Sequence, residues 1–216
     1  MIERNEVIKA IEEHQIIVIL RGFSQQELVD TVEAMSKGGI HLVEVTFDQS
    51  GQVSDEDTAD NIRLLVNTFA GKVRVGAGTV MTERQVDLAY EAGAEFIISP
   101  DTYQPVIEKT RQLGMVSIPG AITPSEAANA HRWGADFVKL FPNSEVSVSY
   151  LKALITPLSH IKFLAVGGVN TENIKEYFSA GAKGIGVATA IANKSYIKTG
   201  NYDAITELAR AFVQAR

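Results

Sequence analysis

The chain has 216 residues, a net charge of −6, a sequence pI of about 5.3 and no cysteine. The lack of cysteine excludes disulfides, thiolate nucleophiles and Cys-based metal sites, and the acidic balance argues against a nucleic-acid or anionic-membrane partner. No apolar run approaches the roughly 18 residues of a membrane span, and the first residues do not resemble a signal peptide. We therefore expect a soluble, cytoplasmic protein.

Short apolar segments alternate with amphipathic helical patterns along the chain. The residues before position 16 predict an N-terminal helix, and several later helices begin at capping sequences, such as Ser24 with Glu27 and Thr123 with Glu126. Each predicted strand is followed by a helical pattern. The eight predicted strands cover residues 16–20, 41–47, 73–77, 95–98, 115–118, 136–140, 162–166 and 184–188.

The regular alternation of strand and helix predicts a parallel sheet, and eight such units are the number that closes a TIM barrel. The alternative is an open doubly wound sheet, but no Gly-x-Gly-x-x-Gly motif follows the first strand. No linker or shift in composition divides the chain. We therefore expect residues 1–216 to form a single (β/α)8 barrel domain with an extra N-terminal helix. Its active site should lie at the C-terminal ends of the strands.

Lys139 lies in the apolar, aromatic-rich predicted strand at 136–140. Lysine is rarely buried unless it is paired or functional, and burial lowers the pKa of its ammonium group. A neutral lysine amine forms Schiff bases with ketones and aldehydes, so Lys139 indicates covalent carbonyl chemistry. The structural alternative is a lysine whose stem packs on neighbouring phenylalanines while its ammonium group reaches water.

Glu44 stands in the middle of the apolar second strand and, by alternation, shares a face with Leu42 and Thr46. If that face is the barrel interior, burial raises the pKa of the carboxyl group, which suits a general acid/base near neutral pH. The alternative is a structural ion pair with a barrel lysine such as Lys139. The two roles are compatible.

Glycines, threonines and one arginine follow four more of the predicted strands. Gly167 and Gly168 follow the seventh strand and Thr189 the eighth, at neighbouring strand ends where backbone amides commonly hold a phosphate; tight turns are the structural alternative. Arg21, after the first strand, is able to bind a carboxylate through two hydrogen bonds. Thr79, after the third strand, offers a hydroxyl group at a helix start. The four histidines show no metal-ligand spacing, so we expect no metal site.

Several short motifs together resemble those of the 2-keto-3-deoxy-6-phosphogluconate (KDPG) and 4-hydroxy-2-oxoglutarate (KHG) aldolases. No single motif is specific, but together they are, and the resemblance covers nearly the whole chain. The motifs are Val-Glu-Val-Thr at 43–46, Gly-Ala-Gly-Thr at 76–79, Ser-Pro at 99–100, Ile-Pro-Gly at 118–120 and Lys-Leu-Phe-Pro at 139–142.

The resemblance implies a homotrimeric Schiff-base aldolase with a small keto acid phosphate as substrate and with neither a metal nor another cofactor. It implies that Lys139 forms the Schiff base and that Glu44 is the acid/base. KDPG would be cleaved to pyruvate and glyceraldehyde 3-phosphate, and KHG to pyruvate and glyoxylate as a further activity. The implied substrate-binding residues are Arg21, Thr79, Pro100, Pro119 and Phe141, and the implied phosphate-binding residues are Gly167, Gly168 and Thr189.

One position departs from the family pattern. Many relatives carry an arginine, as a carboxylate ligand, four residues after the catalytic glutamate, where this chain has Asp48 followed by an acidic loop predicted over residues 49–57. A 2-keto-3-deoxy-6-phosphogalactonate aldolase is therefore an alternative. The same scaffold would also suit a phosphosugar isomerase or epimerase that uses Glu44 as its base, or a non-catalytic barrel that binds phosphometabolites.

Overall fold

The computed structural model describes residues 3–216. Within them, the strands are β1 Ile16–Leu20, β2 Leu42–Thr46, β3 Arg74–Gly78, β4 Phe96–Ile98, β5 Val116–Ile118, β6 Gly120–Ala121, β7 Val138–Leu140, β8 Phe163–Val166 and β9 Gly184–Val187. The helices are α1 Arg4–His14, α2 Gln25–Lys37, α3 Asp55–Thr68, α4 Glu83–Glu91, α5 Gln104–Gln112, α6 Pro124–Arg132, α7 Val148–Ile155, α8 Ile174–Ser179, α9 Lys194–Lys198 and α10 Tyr202–Ala215. None of these helices is long and apolar enough to cross a membrane.

The strands form one parallel sheet in the order β5-β4-β3-β2-β1-β9-β8-β7-β6. Its two end strands, β5 and β6, are separated in the chain only by Pro119, so the sheet curves round until its ends nearly meet. The Lys139 N–H group of β7 donates to the Pro119 carbonyl at 2.9 Å and so attaches β7 to this junction. The predicted TIM barrel with an N-terminal helix is confirmed.

The strands agree with their predictions to within two residues at each end, but the fifth barrel position differs. The predicted strand at 115–118 corresponds to β5, and a second segment, β6, follows it beyond Pro119, because Pro119 has no N–H group and interrupts the ladder of hydrogen bonds. The sheet therefore contains nine strand segments at eight barrel positions.

Two apolar clusters pack the protein, one inside the barrel and one between the barrel and its helices. Val7 and Ile11 of α1 belong to the interior cluster and contact residues near the starts of the strands. Arg4 also bonds to Asp136, just before β7, with a distance of 3.2 Å from Nε to Oδ2. Helix α1 thus closes the N-terminal end of the barrel. The interior cluster comprises Val7, Ile11, Ile17, Leu42, Phe96, Ile98, Val116, Ile118, Phe137 and Leu164.

The capping sequences begin helices where the pattern predicts. Ser24 and Glu27 form a capping box at α2, and Thr123 and Glu126 form another at α6. The loop after β2 is shorter than the predicted 49–57, because α3 begins at Asp55. Its start is set by Ser54, whose Oγ accepts the Asp57 N–H group at 3.0 Å.

Replacing Phe96 tests the interior packing. Phe96 is 0% exposed, so Phe96→Ala should lower the free energy of unfolding by about 3–5 kcal/mol through the cavity that it leaves. Denaturant unfolding at fixed protein concentration measures the loss, with Phe96→Leu as a milder variant that should still fold. Tyr103→Ala is the control, since Tyr103 is 47% exposed. Equal losses at the two positions would contradict this account of the core.

Candidate active site

Lys139 of β7 and Glu44 of β2 both point into the barrel interior. Lys139 is 7% exposed and Glu44 is 2% exposed, and both line a small cavity of about 10 Å³. A volume near 10 Å³ is the least that admits one water molecule. The remaining lining residues are Ile17, Ile19, Ile98, Ile118, Leu164, Val166 and Gly186.

Burial moves both groups towards their neutral forms. It raises the pKa of the Glu44 carboxyl group, against the opposing charges of Lys139 and Arg21. It lowers the pKa of the Lys139 ammonium group, an effect that the Glu44 charge opposes and the Arg21 charge reinforces. Within residues 3–216, no ion pair joins Glu44 to Lys139. The Lys139 ammonium group instead lies 4.5 Å from the centroid of the Phe141 ring. The arrangement favours a reactive amine beside a carboxyl group that is able to exchange protons.

Gly78, at the end of β3, provides the space for the Glu44 carboxyl group. A Cβ atom on Gly78 would lie 2.5 Å from Glu44 Oε1, which is closer than non-bonded atoms approach. Any side chain at position 78 would therefore displace the carboxyl group.

Arg21 lies at the C-terminal end of the barrel, where two threonines hold its guanidinium group. Its Nε donates to Thr46 Oγ1 at 3.3 Å, and its Nη2 donates to Thr79 Oγ1 at 3.1 Å. The Thr46 hydroxyl in turn donates to the Leu20 carbonyl at 3.3 Å. The end of β1 is thus tied to the ends of β2 and β3 around one cation.

The Asp48 carboxylate points back into the loop that carries it and accepts hydrogen bonds there. It accepts hydrogen bonds from the N–H groups of Ser50 at 3.1 Å, Gln52 at 2.7 Å and Val53 at 3.0 Å, and from the Ser50 hydroxyl at 2.8 Å. Hydrogen bonds from Ser50 and then from the loop amides lower the pKa of Asp48 to about 2. The loop covers a cavity of about 410 Å³, one wall of which is formed by Arg21, Thr46 and Thr79.

A second cavity, of about 640 Å³, is also lined by Arg21. It brings together five of the residues predicted for substrate or phosphate binding, namely Arg21, Phe141, Gly167, Gly168 and Thr189. Thr79 stays on the side of the 410 Å³ cavity. Pro100 and Pro119 line none of the three cavities of about 10, 410 and 640 Å³. Pro100 lies two residues after Ile98, and Pro119 lies directly after Ile118; both isoleucines line the small cavity at Lys139.

The turn at Gly167 and Gly168 is fixed by two asparagines. The φ angles are +105° and +73°, a region that residues with a side chain rarely adopt. Asn143 Nδ2 donates to the Gly167 carbonyl at 2.9 Å, and Asn173 Nδ2 donates to the Gly168 carbonyl at 3.0 Å. Glycine is therefore required here for the backbone conformation itself.

Lys194 also lines the 640 Å³ cavity and was missed by sequence reasoning. Its ammonium group lies 5.8 Å from the centroid of the Phe23 ring, which lines the same cavity. Lys194 begins the five-residue helix α9, where a lysine looks like an ordinary surface charge. The signal available in the sequence was its position five residues after Thr189.

The family model "KDPG and KHG aldolase" matches residues 7–208. The chain is 32% identical to the 2-dehydro-3-deoxy-6-phosphogalactonate aldolase of Escherichia coli K12, over 93% of each chain. It is 30% identical to the KHG/KDPG aldolase of the same strain, over 88% of this chain and 86% of that one.

A solved KDPG aldolase from Legionella pneumophila, which holds pyruvate as a covalent carbinolamine, has a similar structure. Its TM-score is 0.85 at 29% identity, over 95% of this chain and 97% of that one. A carbinolamine is the adduct that precedes a Schiff base. This chain therefore belongs to the family of KDPG and KHG aldolases, the carbon–carbon lyases that act through a Schiff base.

Proposed function

We propose that the enzyme cleaves the 2-keto-3-deoxy-6-phospho sugar acid KDPG to pyruvate and glyceraldehyde 3-phosphate. The observation that carries this proposal is a lysine, Lys139, buried in the apolar barrel interior beside Glu44, at the end of the barrel that α1 leaves open. In the same proposal the enzyme works as a homotrimer in the cytoplasm, and KHG is cleaved to pyruvate and glyoxylate as a further activity.

Lys139 begins the reaction as a neutral amine. It attacks the C2 ketone, and loss of water gives an iminium ion. Glu44, through one water molecule in the cavity between the two side chains, takes the proton of the C4 hydroxyl group. The C3–C4 bond breaks, its electron pair flows into the iminium ion, and an aldehyde and an enamine result. Glu44 returns the proton to C3, and water hydrolyses the new iminium ion to release pyruvate and Lys139.

The two ends of the substrate would be held on either side of this centre. Arg21 and Thr79 bind the carboxylate next to the ketone, because the guanidinium group offers a fork of N–H donors. The phosphate lies in the 640 Å³ cavity, where Lys194 adds a positive charge to the glycine turn. Pro100, Pro119 and Phe141 serve as walls of the pocket, and Gly167, Gly168 and Thr189 as the phosphate ligands.

The galactonate diastereomer of KDPG is the second candidate substrate. It is favoured by the 32% identity to an aldolase named for that compound. The two sugar acids share the carboxylate, ketone and phosphate groups, so the ratio of kcat/KM for the two compounds decides between them. An isomerase, an epimerase or a non-catalytic barrel is not retained, because the family acts through a Schiff base.

Trapping with pyruvate tests the proposed role of Lys139. With cyanoborohydride, one reduced pyruvyl group per chain should appear on the peptide that contains Lys139, and Lys139→Met should abolish it. Lys152→Met, at an exposed position of α7, should leave it unchanged.

The pH dependence of trapping is a second test. Because burial lowers the pKa of Lys139, trapping should slow much less between about pH 9 and pH 7 than the roughly 100-fold expected of a lysine with an ordinary pKa. An adduct elsewhere, or none, contradicts the proposed mechanism.

Glu44→Gln tests the acid/base role. The variant should still form the pyruvate adduct but should cleave substrate about 10²–10⁴-fold more slowly, because a positioned acid/base typically contributes that factor. Single-turnover cleavage and trapping, measured side by side, separate the two steps. Glu91→Gln, at an exposed position of α4, is the control. Near wild-type cleavage by Glu44→Gln would show that the carboxyl group is structural.

Lys194→Met tests the phosphate end. The KM for the phosphorylated substrate should rise about ten-fold, since a charged hydrogen bond is lost at an exposed site. The KM for the unphosphorylated analogue should stay unchanged. Lys198→Met, on the same short helix, is the matched control. If both substrates are affected equally, the phosphate is bound elsewhere.

A further inference from the structure

Thr79 is held in a backbone conformation that it would not adopt freely. Its φ is +54°, in the left-handed region that β-branched residues rarely enter. Such strain persists only where the surrounding structure enforces it, and it is concentrated at functional sites. Thr79 follows β3 directly and presents its hydroxyl group to Arg21.

Two side chains from different loops hold Thr79. Arg21 donates to its hydroxyl group at 3.1 Å, and Gln49 Nε2 donates to its carbonyl group at 3.0 Å. The next residue, Val80, is fixed as well, because its N–H group donates to the Ile98 carbonyl at 3.2 Å. The Gln49 bond therefore acts on the backbone of Thr79, whereas the Arg21 bond acts on its side chain.

Asp48 orders the loop that carries Gln49. Its carboxylate receives the amides of Ser50, Gln52 and Val53, which fold the loop back on itself immediately after β2. These same hydrogen bonds lower the pKa of Asp48 to about 2, which favours the ionised carboxylate that accepts them.

We infer that Gln49 is a positioning residue for the carboxylate end of the site, because it holds Thr79 in the conformation that orients Arg21. The inference rests on the proposed function, in which Arg21 and Thr79 bind the substrate carboxylate. It also gives Asp48 a role at the position where many relatives have an arginine: Asp48 orders the loop, Gln49 fixes Thr79, and Thr79 fixes the guanidinium group.

Gln49→Met keeps the length of the side chain and removes the N–H donor. The pyruvate concentration that gives half-maximal trapping should rise about three- to ten-fold, the usual effect of one lost hydrogen bond, while the maximal trapping rate stays within about two-fold. The KM values of phosphorylated and unphosphorylated substrates should rise by the same factor, because the phosphate end is untouched. Gln52→Met is the matched control, since Gln52 lines the same cavity but binds Asp48 through its backbone.

The double variant Gln49→Met/Arg21→Ala shows whether Gln49 acts through Arg21. If it does, Gln49→Met should weaken pyruvate binding much less in the Arg21→Ala background than in the wild-type protein, because coupled residues are not additive. Equal factors in both backgrounds would contradict the inference. An unchanged half-saturating concentration in the single variant would contradict it as well.

Hydrogen exchange gives a readout that does not depend on catalysis. Backbone amides of residues 78–81 should exchange faster in Gln49→Met than in the wild-type protein or in Gln52→Met. Unchanged exchange in this segment overturns the inference. A wild-type protein that forms no pyruvate adduct would overturn only the proposed function, and the exchange measurement would still decide whether Gln49 holds Thr79.

Discussion

The structure depends on the burial of two ionisable side chains, Lys139 and Glu44, in an otherwise apolar barrel interior. Removing charged groups from water is costly, and the cost appears as opposite pKa shifts, a lowered one for the amine and a raised one for the carboxyl group. Both shifts favour the neutral forms, and the neutral amine is the form that the proposed Schiff-base reaction uses.

The surrounding fold keeps this interior dry at one end and accessible at the opposite end. Helix α1 seals the N-terminal end with apolar side chains, so the site opens only at the C-terminal ends of the strands. Arg21 and Phe23 line both of the larger cavities at that end. These two side chains are therefore shared by the cavity beneath the loop at Asp48 and the larger one that contains the glycine turn and Lys194.

The acidic residue at position 48 does not disorder this end of the site. The Asp48 carboxylate accepts hydrogen bonds from the amides of its own loop and does not bond to Arg21. The threonines at 46 and 79 hold the guanidinium group of Arg21 in place. If Arg21 binds the substrate carboxylate as proposed, this preorganised frame lowers the entropy that must be lost on binding.

The sequence by itself determined the barrel and pointed to Lys139 and Glu44 as the proposed reactive pair. Strand periodicity, helix caps and an isolated lysine or glutamate in an apolar strand are local signals, legible within a few residues. The tertiary structure alone decided which residues meet across the barrel. The tertiary structure added β6 beyond Pro119 and brought Lys194 to the cavity of Gly167 and Gly168. It also brought the Gln49 side chain within hydrogen-bonding distance of the Thr79 carbonyl group. The hydrogen bonds that fix Thr79 and Gly167 join loops 24 to 58 residues apart, and their geometry follows from the closure of the sheet rather than from any local pattern.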